Sequence, residues 1–232
     1  LGTGLNSPSG FDQKIVYELA TRTKLPFISS KNKFALMASH DGLVQTMSQL
    51  KMLSVSLFKI VNDIRLLSCG PRAGFGELIL PSNEPGSSIM PGKINPTQCE
   101  AMTMICTQVI ARDTAVAMAG SNGHLQMNAY KPLIGWNLLQ SIDLLASACK
   151  SSRTLMIDGM QPNLKKIQSN LQQSLMLVTS LTPTIGYEKA SKIANYAHQN
   201  NITLREAAKE LGYVEESEFD KIVDPESMAN PN

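Results

Sequence analysis

With 232 residues, the chain is long enough to bury a sizeable core and to hold one or two domains. Hydrophobic residues make up 43% of it and aromatic residues only 5%, which is typical of helices that pack through aliphatic and methionine side chains. The net charge of +2 gives no support for a nucleic-acid or membrane-surface partner. No apolar run reaches the roughly 18 residues of a membrane span. The four cysteines show no Cys-x-x-Cys spacing, and Cys99 and Cys106, seven residues apart on one helical face, are predicted to be buried thiols, which favours a reducing compartment.

Four long helices are predicted from the spacing of apolar residues. In chain order they cover residues 12–24, 43–68, 97–119 and 137–156, where apolar side chains recur at three- and four-residue steps. Strand signals are weak, and the best short candidate is Leu78-Ile79-Leu80 before Pro81. Helices of this length with wide apolar faces require a bundle, so the periodicity by itself predicts an all-α fold.

A domain boundary is predicted near Gly159–Asn163, where glycine and proline interrupt the helical periodicity. It separates a bundle domain of residues 1–163 from a small helical domain of residues 164–232. In the second part, Thr203 and Glu206 have the spacing of a capping box, and Gly212 is placed to end that helix. Residues 203–232 carry eight acidic and three basic residues, which we interpret as a solvated face without a partner.

The segment from Gly86 to Pro96, Gly-Ser-Ser-Ile-Met-Pro-Gly-Lys-Ile-Asn-Pro, predicts a shaped loop. Its glycines allow backbone conformations closed to other residues, and its prolines fix φ and withhold N–H donors. A lysine, an amide and two hydroxyls suit a small anion, and the helix predicted from Thr97 adds a favourable N-terminus. A plain connector is the competing interpretation of such a loop.

A phosphate-binding loop is excluded by spacing. Five residues rather than four separate Gly86 from Gly92, and Ile94 rather than Ser or Thr follows Lys93.

The loop resembles the signature of the fumarase/aspartase superfamily, Gly-Ser-Ser-x-Met-x-x-Lys-x-Asn, at every specified position. Its continuation, Pro-Gly-Lys-Ile-Asn-Pro-Thr-Gln-Cys-Glu ending at Glu100, is similar to class II fumarases, whereas aspartases typically carry alanine where Gly92 stands. Further segments similar to fumarases are Gly2-Thr3-Gly4-Leu5-Asn6, Asn32-Lys33-Phe34, Gly70-Pro71-Arg72, Asn83-Glu84-Pro85 and residues 174–179. The resemblance extends over essentially the whole chain.

The resemblance implies a homotetramer whose long helices assemble into a central 20-helix core, with a small helical C-terminal domain. It implies the reversible hydration of fumarate to (S)-malate in the tricarboxylic acid cycle, with a small dicarboxylate substrate and active sites shared between subunits. No metal, no organic cofactor, no nucleic acid and no membrane partner are implied. The implied location is the mitochondrial matrix, the cytoplasm or both.

Six site residues carry over from the resemblance: the catalytic Ser87 and Glu100, and the substrate-binding Ser88, Lys93, Ile94 and Asn95. Ser87 matches the base that abstracts a proton, and Glu100 matches the acid that orients a histidine of a neighbouring subunit. Lys93 and Asn95 match groups that hold a carboxylate, and Ile94 between them contributes backbone. A serine hydroxyl is a poor base, so it would need the lysine, backbone N–H groups and exclusion of water.

Each polar residue also has a structural interpretation. Glu100 complements the dipole of the predicted helix whatever else it does, and Ser88 is able to cap the loop. We interpret His40, His124 and His198 as structural, since three scattered histidines do not predict a metal site.

Two other signature blocks of the superfamily, including the one with the catalytic histidine, have no counterpart here and are expected before Leu1 in a full protein. The chain therefore resembles a C-terminal half, and we expect it to have no hydratase activity by itself.

Ala35 and Gln126 stand where fumarases usually have glutamate. These two departures leave a diverged, non-catalytic paralogue as an alternative, beside another superfamily lyase such as aspartase.

Overall fold

The computed structural model describes residues 1–70 and 72–230. Pro71 of the Gly70-Pro71-Arg72 segment and the last two residues of the predicted 164–232 domain lie outside the described residues. The helices are α1 (Phe11–Thr23), α2 (Lys33–Ala38), α3 (Asp41–Leu67), α4 (Thr97–Gly120), α5 (Lys131–Ser152), α6 (Leu164–Gln172), α7 (Thr182–Ile185), α8 (Tyr187–Asn200), α9 (Leu204–Leu211), α10 (Glu216–Ile222) and α11 (Pro225–Ala229). A π-helical turn, Arg153–Ile157, continues α5, and a 3₁₀ segment, Leu175–Leu181, precedes α7.

The all-α prediction is confirmed, and three of the four predicted long helices end within two residues of their predicted bounds. The exception is α5, which begins at Lys131 rather than at residue 137. Pro132 lies in its first turn, a position where proline's fixed φ favours the helix and its missing N–H costs nothing. The proline therefore starts this helix six residues earlier than the apolar spacing indicates.

The predicted strand is present over two residues. β1 (Leu78–Ile79) pairs antiparallel with β2 (Gln161–Pro162), with Leu78 opposite Pro162. Leu80 is not part of it. Asn163 reinforces this pairing, since its backbone N–H donates to the carbonyl of Glu77 at 2.8 Å.

One compact unit comprises Leu1–Cys69 and Leu80–Met160. Its centre is the packing of α3 on α4 and of α4 on α5. The hydrophobic cluster between these helices consists of aliphatic and methionine side chains, as the composition predicts: Met47, Val109, Val116, Ala119, Ile134, Leu138 and Leu145. A buried carboxylate adds a polar link, because Asp113 on α4 accepts from Lys51 Nζ at 2.7 Å and Ser48 Oγ at 3.1 Å.

A second compact unit comprises the described residues of the ranges 70–79 and 161–230. The predicted capping box is confirmed: Thr203 accepts from the backbone N–H of Glu206, whose carboxylate accepts from the N–H of Thr203. Gly212 ends α9 in the left-handed conformation at φ 64°, also as predicted. The domain boundary after residue 163 stays a prediction.

Among the described helices, none combines the length and the apolar character needed to cross a lipid bilayer.

Candidate active site

The Gly86–Pro96 loop, which we call the signature loop, folds back on itself between β1 and α4. Its two ends are joined by Asn95, whose Nδ2 donates to the carbonyl of Gly86 at 2.7 Å. A Cβ at Gly86 would overlap the carbonyl of Lys93, so only glycine allows these two backbone segments of the loop to approach this closely. The loop is therefore closed by one side-chain bond and one glycine contact.

A tight turn inside the signature loop organises the Ser87 hydroxyl. Ser87 Oγ accepts from the backbone N–H groups of Ile89 at 3.2 Å and Met90 at 3.1 Å. The carbonyl of Met90 in turn accepts from the N–H of Lys93 at 3.3 Å, and Gly92 between them has φ 77°. Two N–H donors at one oxygen favour negative charge on that oxygen, which is what a serine base needs.

An open depression of about 560 Å³ lies against this turn and includes Ser87, Lys93 and Ile94 in its lining. The lysine side chain is exposed, and within the described part of the chain its ammonium has no hydrogen bond or ion pair. A depression lined by a serine hydroxyl and by a lysine ammonium without an ion-pair partner suits a small anionic ligand.

The structure does not bring all six predicted residues into this depression. Ser88 is exposed and Asn95 is half-buried, with one of its amide hydrogens committed to Gly86. Glu100 lies in the first turn of α4 and is not part of the depression lining. The assigned roles of all six residues stay predictions.

Glu100 is held by an ion pair that the sequence analysis did not anticipate. Arg65 Nη2, from the last turn of α3, donates to Glu100 Oε1 at 3.1 Å. The two residues are 35 positions apart and belong to different helices, so no local spacing rule relates them. Only the three-dimensional packing of α3 on α4 reveals the pair.

Side chains on both sides of the signature loop attach it to the bundle. Asn83 Nδ2 donates to the carbonyl of Leu155 at 2.8 Å, in the π-helical turn after α5. Ser151 Oγ donates to Gln98 Oε1 at 2.8 Å. These two contacts fix the entry and exit of the loop on the same helix.

Cys99, at the start of α4, is fully buried and its thiol lies 3.4 Å from the sulfur of Met156. Burial raises the pKa of this thiol, and the charge of nearby Arg65 partly opposes the rise. The residue therefore packs as a small apolar group beneath the site.

The histidines lie outside the signature loop. His40 is buried, with Nε2 3.4 Å from the carbonyl of Asn128, while His124 and His198 are exposed. In the ranges 1–70 and 72–230, no three His, Cys, Asp or Glu side chains are grouped to hold a metal ion. The two departures from the fumarase pattern, Ala35 and Gln126, are both exposed.

Comparisons with known proteins point to one family. A sequence profile described as a lyase matches residues 1–111, and one described as the fumarase C C-terminus matches residues 177–230. A class II fumarate hydratase of the bacterium Prochlorococcus marinus is 72% identical over 98% of this chain and 49% of that protein. The chain thus spans about half the length of the curated relatives it matches.

Solved structures show the same relationship. The crystal structure of a class II fumarase from Schistosoma mansoni has a TM-score of 0.87 and 41% identity, covering 100% of this chain and 51% of that one. A fumarate lyase:delta crystallin from Brucella melitensis has a TM-score of 0.92 and 36% identity, covering 99% of this chain and 50% of that one. These matches show that the chain belongs to the class II fumarase family of the fumarase/aspartase superfamily.

Proposed function

We propose that the full-length protein carrying this chain is a fumarate hydratase, which reversibly adds water to fumarate to give (S)-malate. The observation that carries the proposal is the geometry of the signature loop. In it, the Ser87 oxygen accepts hydrogen bonds from two backbone N–H groups, and Lys93 lines the same depression as Ser87. The names of the relatives support the same activity.

The reaction needs a base, an acid and positive potential at one carboxylate. In the malate direction, deprotonated Ser87 takes a proton from the carbon next to that carboxylate. The electron pair of the broken C–H bond moves into the carboxylate and gives an aci-carboxylate dianion. The pair then returns to form the carbon–carbon double bond as the C–O bond breaks, and the hydroxide leaves as water with a proton from an acid. Lys93 stabilises the dianion, with one amide hydrogen of Asn95 and the backbone of Ile94 assisting.

Glu100 acts through a neighbouring subunit in this proposal. Its carboxylate orients a histidine of that subunit and raises the basicity of the ring. Ser88 binds substrate from the exposed edge of the loop. Active sites shared in this way require the homotetramer that the family resemblance implies, with the domain division after residue 163.

The cellular setting follows from the activity. A fumarate hydratase serves the tricarboxylic acid cycle, and the bacterial origin of the curated relatives favours a cytoplasmic location over a mitochondrial one.

The test is malate-to-fumarate turnover, followed by absorbance, of the full-length protein and its Ser87→Ala and Lys93→Ala variants. We expect robust turnover that falls at least about 100-fold in both variants. Lys14→Ala, which removes an exposed lysine on α1, is the matched control and should keep full turnover.

Two outcomes would contradict the proposal. Release of ammonia from aspartate without malate turnover would assign a different lyase. A folded tetramer with neither activity would favour the non-catalytic paralogue, the interpretation that Ala35 and Gln126 motivate.

A further inference from the structure

The ion pair between Arg65 and Glu100 joins the end of one bundle helix to the start of another. Arg65 lies in the last turn of α3 and Glu100 in the first turn of α4, so each charge also complements the dipole of its own helix. Each residue is thus placed favourably without the other, and their direct contact is an additional feature.

Stability does not account for this contact. The side chains are 50% and 42% exposed, and exposed ion pairs contribute only about 0–1 kcal/mol to folding. The packing of α3 on α4 is already secured by buried residues such as Met47 and Val109. A structural role for the pair is therefore small.

The geometry of the contact indicates a role other than stabilisation of the fold. Arg65 Nη2 binds Oε1 of Glu100, and within the described residues Oε2 has no hydrogen-bond partner. A guanidinium that stays charged at all physiological pH values restricts the orientations of the carboxylate it binds. One oxygen is thus held, and the other is left available to accept a hydrogen bond from outside the chain.

We propose that Arg65 is a positioning residue, which holds Glu100 by one oxygen so that the other presents to the histidine of the neighbouring subunit. The proposal rests on the proposed function, since that function supplies the histidine. Arg65 itself does not touch substrate, so its loss should lower kcat and leave KM nearly unchanged.

A double-mutant cycle in the full-length protein tests the proposal by kinetics. Arg65→Gln should lower kcat about 10-fold, and Arg65→Lys, which keeps the charge but not the planar fork, should restore part of it. In a Glu100→Gln background the same Arg65→Gln change should have no further effect, because its target is gone. Arg22→Gln, which breaks the exposed pair with Glu18 on α1, is the matched control and should leave kcat unchanged.

Independent effects of Arg65 and Glu100 in this cycle, or a rise in KM with unchanged kcat, would overturn the proposal. Measuring the tetramer content and the thermal unfolding of each variant separates a folding defect from a positioning defect. If the Arg65→Gln variant does not assemble, Arg65→Lys replaces it in the double-mutant cycle.

A crystal structure of the full-length Arg65→Gln variant tests the proposal without any turnover. We expect the Glu100 carboxylate to rotate or to occupy more than one conformation, and an unchanged, single conformation would overturn the inference. If the wild type shows no turnover, that result contradicts the proposed function. The crystal structure still tests whether Arg65 positions Glu100, because that test does not depend on activity.

Discussion

Gly86 illustrates how one residue without a side chain determines the shape of the signature loop. Its backbone lies so close to the carbonyl of Lys93 that a methyl group has no room, and its own carbonyl is the acceptor for Asn95. The contact is between two backbone segments, so a side-chain rotation cannot relieve the overlap. Any larger residue must therefore open the loop.

Gly86→Ala should lower turnover of the full-length protein by about 100-fold or more, because the Ser87 oxygen and the Lys93 ammonium lose their mutual placement. Thermal unfolding should change little, since most of the loop is exposed. Gly42→Ala is the matched control: a Cβ there meets open space in α3, and alanine favours a helix by about 0.5–1 kcal/mol over glycine. Equal turnover of the two variants would show that loop closure at Gly86 is unimportant.

At the scale of residues, sequence and structure contribute different parts of the site. Ser87 and Lys93 could be named as candidates from the sequence because they belong to one contiguous motif. Arg65 could not, since its contact with Glu100 depends on which faces of α3 and α4 meet. The tie from Asn95 to Gly86 was equally hidden, because composition does not tell an amide that binds ligand from one that closes a loop.

At the scale of elements, apolar spacing located α1, α3, α4 and α5, and backbone chemistry decided where α5 begins and ends. The capping box of α9 was predictable because its two partners lie three residues apart. The early start of α5 and the π-helical turn after it were not, since both depend on the last hydrogen bonds of the helix rather than on side-chain periodicity. The short β1–β2 pair, whose strands are far apart in sequence, was half predicted, with only its first strand foreseen.

An ion-pair network joins α9 to α10 in the second compact unit. The Arg205 guanidinium donates to both carboxylate oxygens of Asp220, at 2.8 and 2.9 Å, and also pairs with Glu216. Lys209 binds the other oxygen of Glu216 at 2.6 Å. The bond from Arg205 lowers the pKa of Asp220, and that from Lys209 is the main cause of the lowered pKa of Glu216.

These lowered pKa values set the pH range in which the network stabilises the fold. A carboxyl group whose pKa is lower in the folded state contributes stability above its unfolded pKa, and loses it as the pH falls through the folded value. The contribution of Asp220 and Glu216 should therefore be complete at neutral pH and be lost as the pH falls through their lowered pKa values.

Arg205→Ala should speed hydrogen exchange of the α10 amides at neutral pH, because the helix loses its bidentate attachment to α9. The difference from the unmodified chain should disappear in acid, where Asp220 and Glu216 are protonated. Lys192→Ala, which removes one exposed positive charge from α8, is the matched control. Equal protection of α10 in the Arg205→Ala variant and the unmodified chain at neutral pH would contradict this role for the network.

At the scale of the whole molecule, the bundle helices carry apolar side chains on faces that their neighbours in the chain leave uncovered. Met104 and Met118 on α4 are 66% and 62% exposed, and Trp136 and Leu139 on α5 are 65% and 62% exposed. On α3, Val55 and Phe58 line an apolar groove of about 410 Å³ with Ile110 of α4. Several large apolar side chains exposed on the same helices favour association.

We expect the purified chain to associate with itself in a concentration-dependent way, since burying one large apolar side chain contributes about 1.5–3 kcal/mol. Sedimentation velocity measures the distribution of species. The double variant Met118→Glu with Leu139→Glu should shift it toward the monomer, because a carboxylate buried in an apolar contact loses its hydration. Leu164→Glu, at a residue of α6 that is 71% exposed, is the matched control and should leave the distribution unchanged. A chain that is monomeric at every concentration would contradict the prediction and would weaken the proposal of active sites shared between subunits.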